Sequence, residues 1–208
     1  MNGESNRETI VLLHGFAAHS LTMTLLGRRL RRPSSRIVNW GYFSYFRPIE
    51  TYAEALAQRL RELDDDAACD RIHVVGHSMG GIVARTALAA YRPRKFGRLV
   101  MLASPNRGSH AANFLDPWLG RIFTPIRQLR DCDDSFVRCL PPPEGLEIGI
   151  ISATRDYIVR PEQARLDIAH EHCEVAALHS EMLIRRETAD QVRRFLDCGR
   201  FGASVSAS

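Results

Sequence analysis

The chain has 208 residues, of which 45% are hydrophobic and 25% charged, and its formal net charge is +4. This composition is typical of one globular domain with a single hydrophobic core, and it excludes collagen-like, disordered and membrane-spanning chains. The longest apolar runs, such as IVLL at 10–13, are far shorter than the roughly 20 residues of a membrane-spanning helix.

Cellular location is predicted from the N-terminus and the cysteines. The opening sequence MNGESNRETI lacks the basic segment, apolar core and small-residue cleavage site of a secretory signal. The five cysteines are scattered and form no C-x-x-C pair, which favours free thiols in a reducing compartment. We therefore expect a cytoplasmic protein.

Short apolar strands alternate with helical segments along the chain, and this alternation predicts βαβ units. We expect strands at 9–13, 36–40, 71–75, 98–103, 146–152 and 173–177. We expect helices at 20–31, 50–63, 79–91 and 181–197. The predicted fold class is α/β, a single domain over 1–208 with a mainly parallel sheet, helices on both faces and a flexible tail at about 199–208.

The loop after the first strand reads His14-Gly15-Phe16. Its glycine allows the backbone to curl, so the Phe16 N–H group is predicted to face the carboxyl edge of the sheet and to stabilise an oxyanion there. An ordinary β-to-α turn is the alternative.

The next helix carries the arginine-rich run GRRLRR at 27–32. Such a run is most often a solvated helix face. The alternative is attraction to phosphate or anionic lipid, and with it a peripheral contact with a membrane. No nucleic-acid-binding motif accompanies the run, so no nucleic-acid partner is expected.

The segment NWGYFSYFRP follows the second strand and is rich in aromatic residues. Trp40, Tyr42 and Phe43 are predicted to bind the substrate as part of an apolar acyl pocket at the carboxyl edge. Some rings of this segment are expected to belong to the core instead.

The third strand and the helix after it are joined by Gly76-His77-Ser78-Met79-Gly80. A G-x-S-x-G sequence between a strand and a helix is the pattern of a nucleophile elbow, in which a strained serine projects from a tight turn. Ser78 is therefore the predicted nucleophile, and the Met79 N–H group at the start of the helix is a predicted oxyanion donor. A purely structural turn is the alternative.

About forty residues separate the fourth and fifth strands, although a crossover connection needs only about a dozen. Apolar residues, among them Phe114, Trp118 and Ile122, recur there at helical spacing. We expect part of the segment to be a crossover helix packed on the sheet. The rest, within about 106–145, is predicted to form a short cap that contacts substrate through Trp118.

A serine nucleophile needs a base, and the base needs a group that orients it. Asp156 follows the fifth strand and His179 follows the sixth, so both are expected at the same edge of the sheet as Ser78. The other seven histidines lie in turns, in a strand or at the opposite edge. Three further aspartates compete with Asp156 for the orienting role but follow no strand, namely Asp131, Asp133 and Asp134.

Five segments together resemble the α/β-hydrolase superfamily, and within it the small bacterial lipases and esterases. They are HGF, GHSMGG, ASPNRGS, TRDYIV and LHSEML, and they span residues 9 to about 185. The resemblance implies a minimal α/β-hydrolase fold of about six strands, since no room precedes Thr9 for the first two strands of larger members. It also implies a Ser78, Asp156 and His179 triad, backbone oxyanion donors at Phe16 and Met79, and no metal or organic cofactor.

The predicted function is hydrolysis of carboxylic esters, with acyl or lipid esters as small-molecule substrates and an acyl-enzyme on Ser78. An acyltransferase or thioesterase would use the same triad and remains open, as does a non-catalytic binding protein on this fold. Metal-dependent hydrolysis is disfavoured, because no H-E-x-x-H spacing occurs. The sequence does not indicate the oligomeric state.

Overall fold

A six-stranded sheet forms the centre of the structure, a computed structural model that describes residues 7–202. Its strands are β1 (Glu8–Leu13), β2 (Ser35–Trp40), β3 (Arg71–His77), β4 (Phe96–Leu102), β5 (Glu147–Ala153) and β6 (Glu171–Val175). Their spatial order is β2-β1-β3-β4-β5-β6, and every neighbouring pair is parallel. This confirms the predicted α/β fold with a parallel sheet of six strands.

The strands β1 and β3 lie side by side although another strand separates them in the sequence, so the order of the sheet reverses between them. Leu13 pairs with Gly76 in the register, which places the carboxyl ends of the two strands next to each other. In open α/β sheets such a switch point opens a crevice in which ligands bind. The loops after β1 and β3 therefore meet at one site.

Helices cover both faces of the sheet, as the sequence predicted. One face packs against α2 (Ile49–Asp65) and α3 (Met79–Ala90), and the other against α1 (Thr24–Leu30) and α8 (Arg186–Cys198). The apolar side chains of β1 and β3 are buried because helices cover both of their faces.

Two predicted helices, 20–31 and 181–197, are each divided into a 3-10 turn and an α-helix. The turns are Ser20–Met23 and Glu181–Ile184. The second division occurs at Arg185, whose backbone is extended (φ −74°, ψ 136°). Met182 of the turn and Val192 of α8 nevertheless enter the same core cluster.

The arginine run at 27–32 is partly engaged by the C-terminal region. Arg32 forms an ion pair with Asp197 of α8, and Arg29 donates a hydrogen bond to the carbonyl of Ile184. These contacts attach α1 to α8, so only part of the run is free to interact with solvent.

The long connection between β4 and β5 is not one crossover helix but three short ones: α4 (His110–Leu119), α5 (Thr124–Gln128) and α6 (Phe136–Cys139). Ile126 and Val137 enter the core beside α2 and α3. The apolar residues of α4 and of the turn after it instead face outward, with Phe114 77%, Trp118 79% and Ile122 59% exposed. A fourth short helix, α7 (Pro161–Ala164), follows β5.

The predicted tail at about 199–208 is described as far as residue 202. Phe201 stacks on Phe195 of α8 with ring centroids 5.0 Å apart, and the Gly202 N–H group donates to Gln191 Oε1. Residues 203–208 lie outside the described part. None of the helices formed by residues 7–202 is long and apolar enough to span a bilayer.

Candidate active site

Ser78 occupies a strained turn between β3 and α3. Its backbone lies in the positive-φ region (φ 53°, ψ −126°), which side-chain-bearing residues rarely adopt. The turn is held by the Ser78 N–H group, which donates to the Leu102 carbonyl of β4 at 2.8 Å. The structure therefore has the backbone of the predicted elbow, with a half-buried serine at its apex.

The two flanking glycines are required by close backbone contacts. A Cβ atom on Gly76 would lie 2.5 Å from the backbone nitrogen of Gly81, and one on Gly80 would lie 2.5 Å from the His14 carbonyl oxygen. Real Cβ atoms do not approach backbone this closely. The first turn of α3 can thus pass directly beside the ends of β1 and β3 only because both positions lack a side chain.

His179 and Asp156 form a buried pair at the same edge. The distance from His179 Nδ1 to Asp156 Oδ2 is 2.6 Å, and both residues are buried. The second carboxylate oxygen, Oδ1, accepts hydrogen bonds from the N–H groups of Ile158 (2.8 Å) and Val159 (2.9 Å). These bonds hold the carboxylate in place, so that it fixes the imidazole with a proton on Nδ1 and leaves Nε2 as the basic nitrogen.

His77 supports this pair from the elbow itself. Its Nε2–H group donates to the His179 carbonyl at 3.0 Å, and the two rings lie 4.8 Å apart. Burial, together with the neighbouring His179, lowers the pKa of His77 to about 3, so the ring is neutral at neutral pH. The sequence places His77 only in the turn. Its place beside the proposed nucleophile was the one available signal of a supporting role.

The three predicted triad residues are thus brought to one edge by β3, β5 and β6. The hydrogen bonds among residues 7–202 do not include one between the Ser78 hydroxyl and His179. Ser78 and His179 share this edge, and His77 adjoins Ser78 in the chain and His179 in space.

The loop after β1 lies directly against Ser78. A Cβ atom on Gly15 would be 3.0 Å from Ser78 Cβ, so the absence of a side chain there permits the approach. Neither the Phe16 nor the Met79 N–H group donates to another group in the described part of the chain. Ala17 turns the loop with a positive φ of 51°. The two predicted oxyanion donors thus belong to the two segments that meet at Ser78, and in the described structure both N–H groups are unused.

Tyr42 contacts the loop after β1 and holds it in place. Its ring stacks on His14 at 4.4 Å and on Trp40 at 5.0 Å, and its hydroxyl donates to the His14 carbonyl at 2.6 Å. Burial lowers the pKa of His14, which favours the neutral ring. Of the residues predicted to bind substrate, Trp40 and Tyr42 are half-buried beside the core, whereas Phe43 (69% exposed) and Trp118 keep free surface.

Three other aromatic rings lie beside the candidate oxyanion loop. The Phe16 ring approaches Phe123 at 5.9 Å and Tyr45 at 6.1 Å, and Phe46 stacks on Phe123 at 5.4 Å. Tyr45 and Phe46 belong to the aromatic segment already noted, but the position of Phe123 depends on the tertiary path of the long connection.

The rival aspartates have other partners. Asp131 accepts a hydrogen bond from Gln163 at 2.9 Å, and Asp133 and Asp134 pair with arginines at 3.2 and 3.7 Å. No ion pair joins any of them to His179 in the described structure. Between residues 7 and 202, no three His, Cys, Asp or Glu side chains converge in a way suited to a metal ion.

Comparisons with known proteins agree with this architecture. The model of the alpha/beta hydrolase family matches residues 10–197. A search of curated proteins found no match. Similar solved structures include the mature lipase BlEst2 of Bacillus licheniformis, with a TM-score of 0.67, 15% identity and coverage of 93% of this chain and 92% of that one.

Two further structures extend the comparison. A monoacylglycerol lipase of Paleococcus ferrophilus has a TM-score of 0.67 and 16% identity, covering 93% of this chain and 94% of that one. Lipase B of Aspergillus fumigatus has a TM-score of 0.75 and 15% identity, covering 94% of this chain and 54% of that one. At these identities the likeness is one of fold.

Proposed function

The chain belongs to the alpha/beta hydrolase family, and we propose that it is a serine hydrolase that cleaves carboxylic esters through an acyl-enzyme on Ser78. The observation that carries the proposal is the buried His179–Asp156 pair at the sheet edge that also holds the Ser78 elbow. An imidazole oriented by a buried carboxylate is the arrangement that activates a serine hydroxyl.

In the proposed first step, Ser78 Oγ attacks the ester carbonyl while His179 Nε2 takes its proton. The negative charge on the carbonyl oxygen is stabilised by the Phe16 and Met79 N–H groups, which have no other acceptor in the described structure. His179 then gives the proton to the departing alcohol. Water attacks the acyl-enzyme by the same route and releases the acid.

Asp156 holds the imidazolium that forms in each step, and His77 positions the backbone of His179. Because His77 is neutral, it adds no positive charge that would oppose protonation of the neighbouring imidazole. Both residues thus act through His179 and do not touch the ester in this proposal.

We propose acyl or lipid esters as the substrate class. The rings around Phe16 and the exposed side chains of α4 place apolar surface around the oxyanion loop and on the long connection that follows β4. The structural neighbours described as lipases support the same class by analogy of fold.

The decisive assay measures turnover of p-nitrophenyl esters of increasing acyl chain length by wild type and Ser78→Ala. We expect the variant to lose nearly all activity, by a factor of at least about 10³. The matched control is Ser34→Ala, a substitution of an exposed serine before β2, far along the chain from the elbow. Full turnover by Ser78→Ala would refute the nucleophile, and wild-type inactivity toward every ester would refute the activity.

A further inference from the structure

A cavity of about 410 Å³ lies beside α3, and its lining is strongly basic. Ser78, Asp156 and His179 are not among the residues that line it. Its charged residues are four arginines and two aspartates, a net charge of +2: Arg85, Arg107, Arg138, Arg165, Asp133 and Asp167.

Arg85 is the most buried of the four arginines, with only 5% of its surface exposed. Its guanidinium donates to the carbonyls of Leu140 (2.7 Å) and Pro141 (2.9 Å) and, at 3.4 Å, to Asn106 Oδ1. Its Nε–H group has no partner. No carboxylate pairs with Arg85 anywhere in residues 7–202.

The Arg85 guanidinium is therefore a buried positive charge whose hydrogen bonds all go to neutral acceptors, and the carboxylate that acts on it, Asp167, lies across the same cavity without pairing with it. Burial lowers its pKa to about 10, so it stays protonated at neutral pH. Burying a charge without a counter-charge is costly, and an anion in the cavity would reduce that cost.

The other three arginines are also only weakly paired. Arg107 and Arg138 pair with Asp167 and Asp133, but both carboxylates project into solvent, where ion pairs are weak. Arg107 Nε is buried without a partner. Arg165 donates to His172 Nδ1 at 3.1 Å and has no carboxylate partner in the described chain.

We propose that this cavity is a binding site for a phosphate group, carried either by inorganic phosphate or by a small phosphate monoester. Guanidinium groups bind phosphate oxygens through charge-assisted hydrogen bonds. Arg165 offers a guanidinium that no carboxylate pairs with in the described chain, and Arg85 adds its buried positive charge and an unpartnered Nε–H group. The volume lies within the usual range of small-molecule sites, which leaves room for an organic group beside the phosphate.

The test is calorimetric titration of the intact protein with inorganic phosphate and, separately, with glycerol 3-phosphate, at constant ionic strength. We expect one saturable site. Arg138→Gln and Arg165→Gln should each weaken binding about tenfold, since each removes one charged donor. Arg85→Met should abolish binding, and if that variant fails to fold, the two exposed arginines decide the outcome.

The matched control is Arg186→Gln. Arg186 is an exposed member of another arginine cluster, which lines a separate cavity of about 300 Å³ with Arg29 and Arg193. Its substitution should change the affinity less than twofold.

Tighter binding of glycerol 3-phosphate would identify an organic phosphate as the ligand, and equal affinity would identify free phosphate. Absence of saturation, or equal weakening by Arg186→Gln and Arg165→Gln, would show unspecific attraction of anions and overturn the proposal. The readout is binding, so the result does not depend on ester hydrolysis.

Discussion

Replacing Asp156 by asparagine tests the proposed mechanism most sharply. The substitution keeps the size of the side chain, and the amide oxygen can still accept the two backbone hydrogen bonds now made by Oδ1. The amide nitrogen then faces His179 Nδ1, 2.6 Å from the carboxylate oxygen in the present structure. An amide N–H is a donor, so Nδ1 must accept and the imidazole proton moves to Nε2. In the proposed mechanism, His179 then has no basic Nε2 with which to take the proton of Ser78.

The loss in rate follows from that change of tautomer. A wrongly protonated imidazole, without a carboxylate to stabilise its charge, lowers kcat by about 10³- to 10⁴-fold in serine triads, or about 4–5.5 kcal/mol of activation free energy. The effect on folding stability should be smaller. Two charge-assisted hydrogen bonds become neutral ones, which costs about 1–2 kcal/mol in total.

The assay pairs ester turnover with urea unfolding for wild type, Asp156→Asn and the control Asp133→Asn. Asp133 is exposed, and among residues 7–202 its carboxylate pairs only with Arg138, so its variant should keep full turnover. If Asp156→Asn stays folded and retains more than about a tenth of the wild-type kcat, the carboxylate does not orient the base. If Asp133→Asn lost turnover while Asp156→Asn kept it, the orienting carboxylate would be Asp133, in the long connection between β4 and β5.

Three further predictions concern packing, positioning and acid stability. Gly80→Ala places a Cβ 2.5 Å from a backbone oxygen and should lower the free energy of unfolding in urea by about 1–3 kcal/mol. The control Gly202→Ala, whose Cβ would have neighbours at 3.4 Å or more, should leave it unchanged. Equal unfolding midpoints for the two variants would contradict the close packing. His77→Leu removes the donor to the His179 carbonyl, so kcat should fall about tenfold at constant KM, and a change in KM alone would argue against positioning. Burial raises the pKa of Asp64, but hydrogen bonds from backbone and side-chain donors outweigh it and lower the pKa from 3.8 to about 2. Because the pKa of Asp64 is lower in the folded than in the unfolded chain, its ionisation contributes about 2 kcal/mol of stability above about pH 4, and this contribution is lost as the pH falls toward 2. The free energy of unfolding, measured across this pH window, should therefore depend less on pH in Asp64→Asn than in wild type. The same pH dependence in both proteins would exclude the effect.

The positions of the strands were predictable because local and tertiary requirements agree there. An apolar run such as Ile10–Leu13 has strand-forming residues, and both of its faces are covered by helices, so burial reinforces propensity. The chain order then placed the loops that hold Ser78, Asp156 and His179 at one edge, because all six strands are parallel. The sixth strand begins and ends two residues earlier than predicted, at Glu171 and Val175. The Ala177 N–H group turns back to the Val175 carbonyl and ends the pairing.

The remaining features depend on contacts that no local pattern contains. The spacing of Phe114, Trp118 and Ile122 predicts an apolar helix face, packed either on the sheet or toward substrate as part of a cap. All three are exposed, and Ala112 is the only residue of α4 that is buried. Periodicity indicates that a face is apolar but not which neighbour covers it. Likewise, the contact of Tyr42 with the His14 carbonyl joins two loops 28 residues apart and is visible only in the folded chain.

The helix α3 connects the two proposed sites but keeps them separate. Ser78 precedes its first residue, and Arg85 lies seven residues further, about 10 Å along the helix axis. A phosphate bound near Arg85 would stabilise the folded chain by mass action without contacting the elbow. Thermal stability should therefore rise with phosphate in Ser78→Ala as in wild type, while ester turnover distinguishes the two proteins. A phosphate effect lost in Ser78→Ala would mean that the anion binds at the elbow, among the Phe16 and Met79 N–H groups, and not in the cavity lined by arginines.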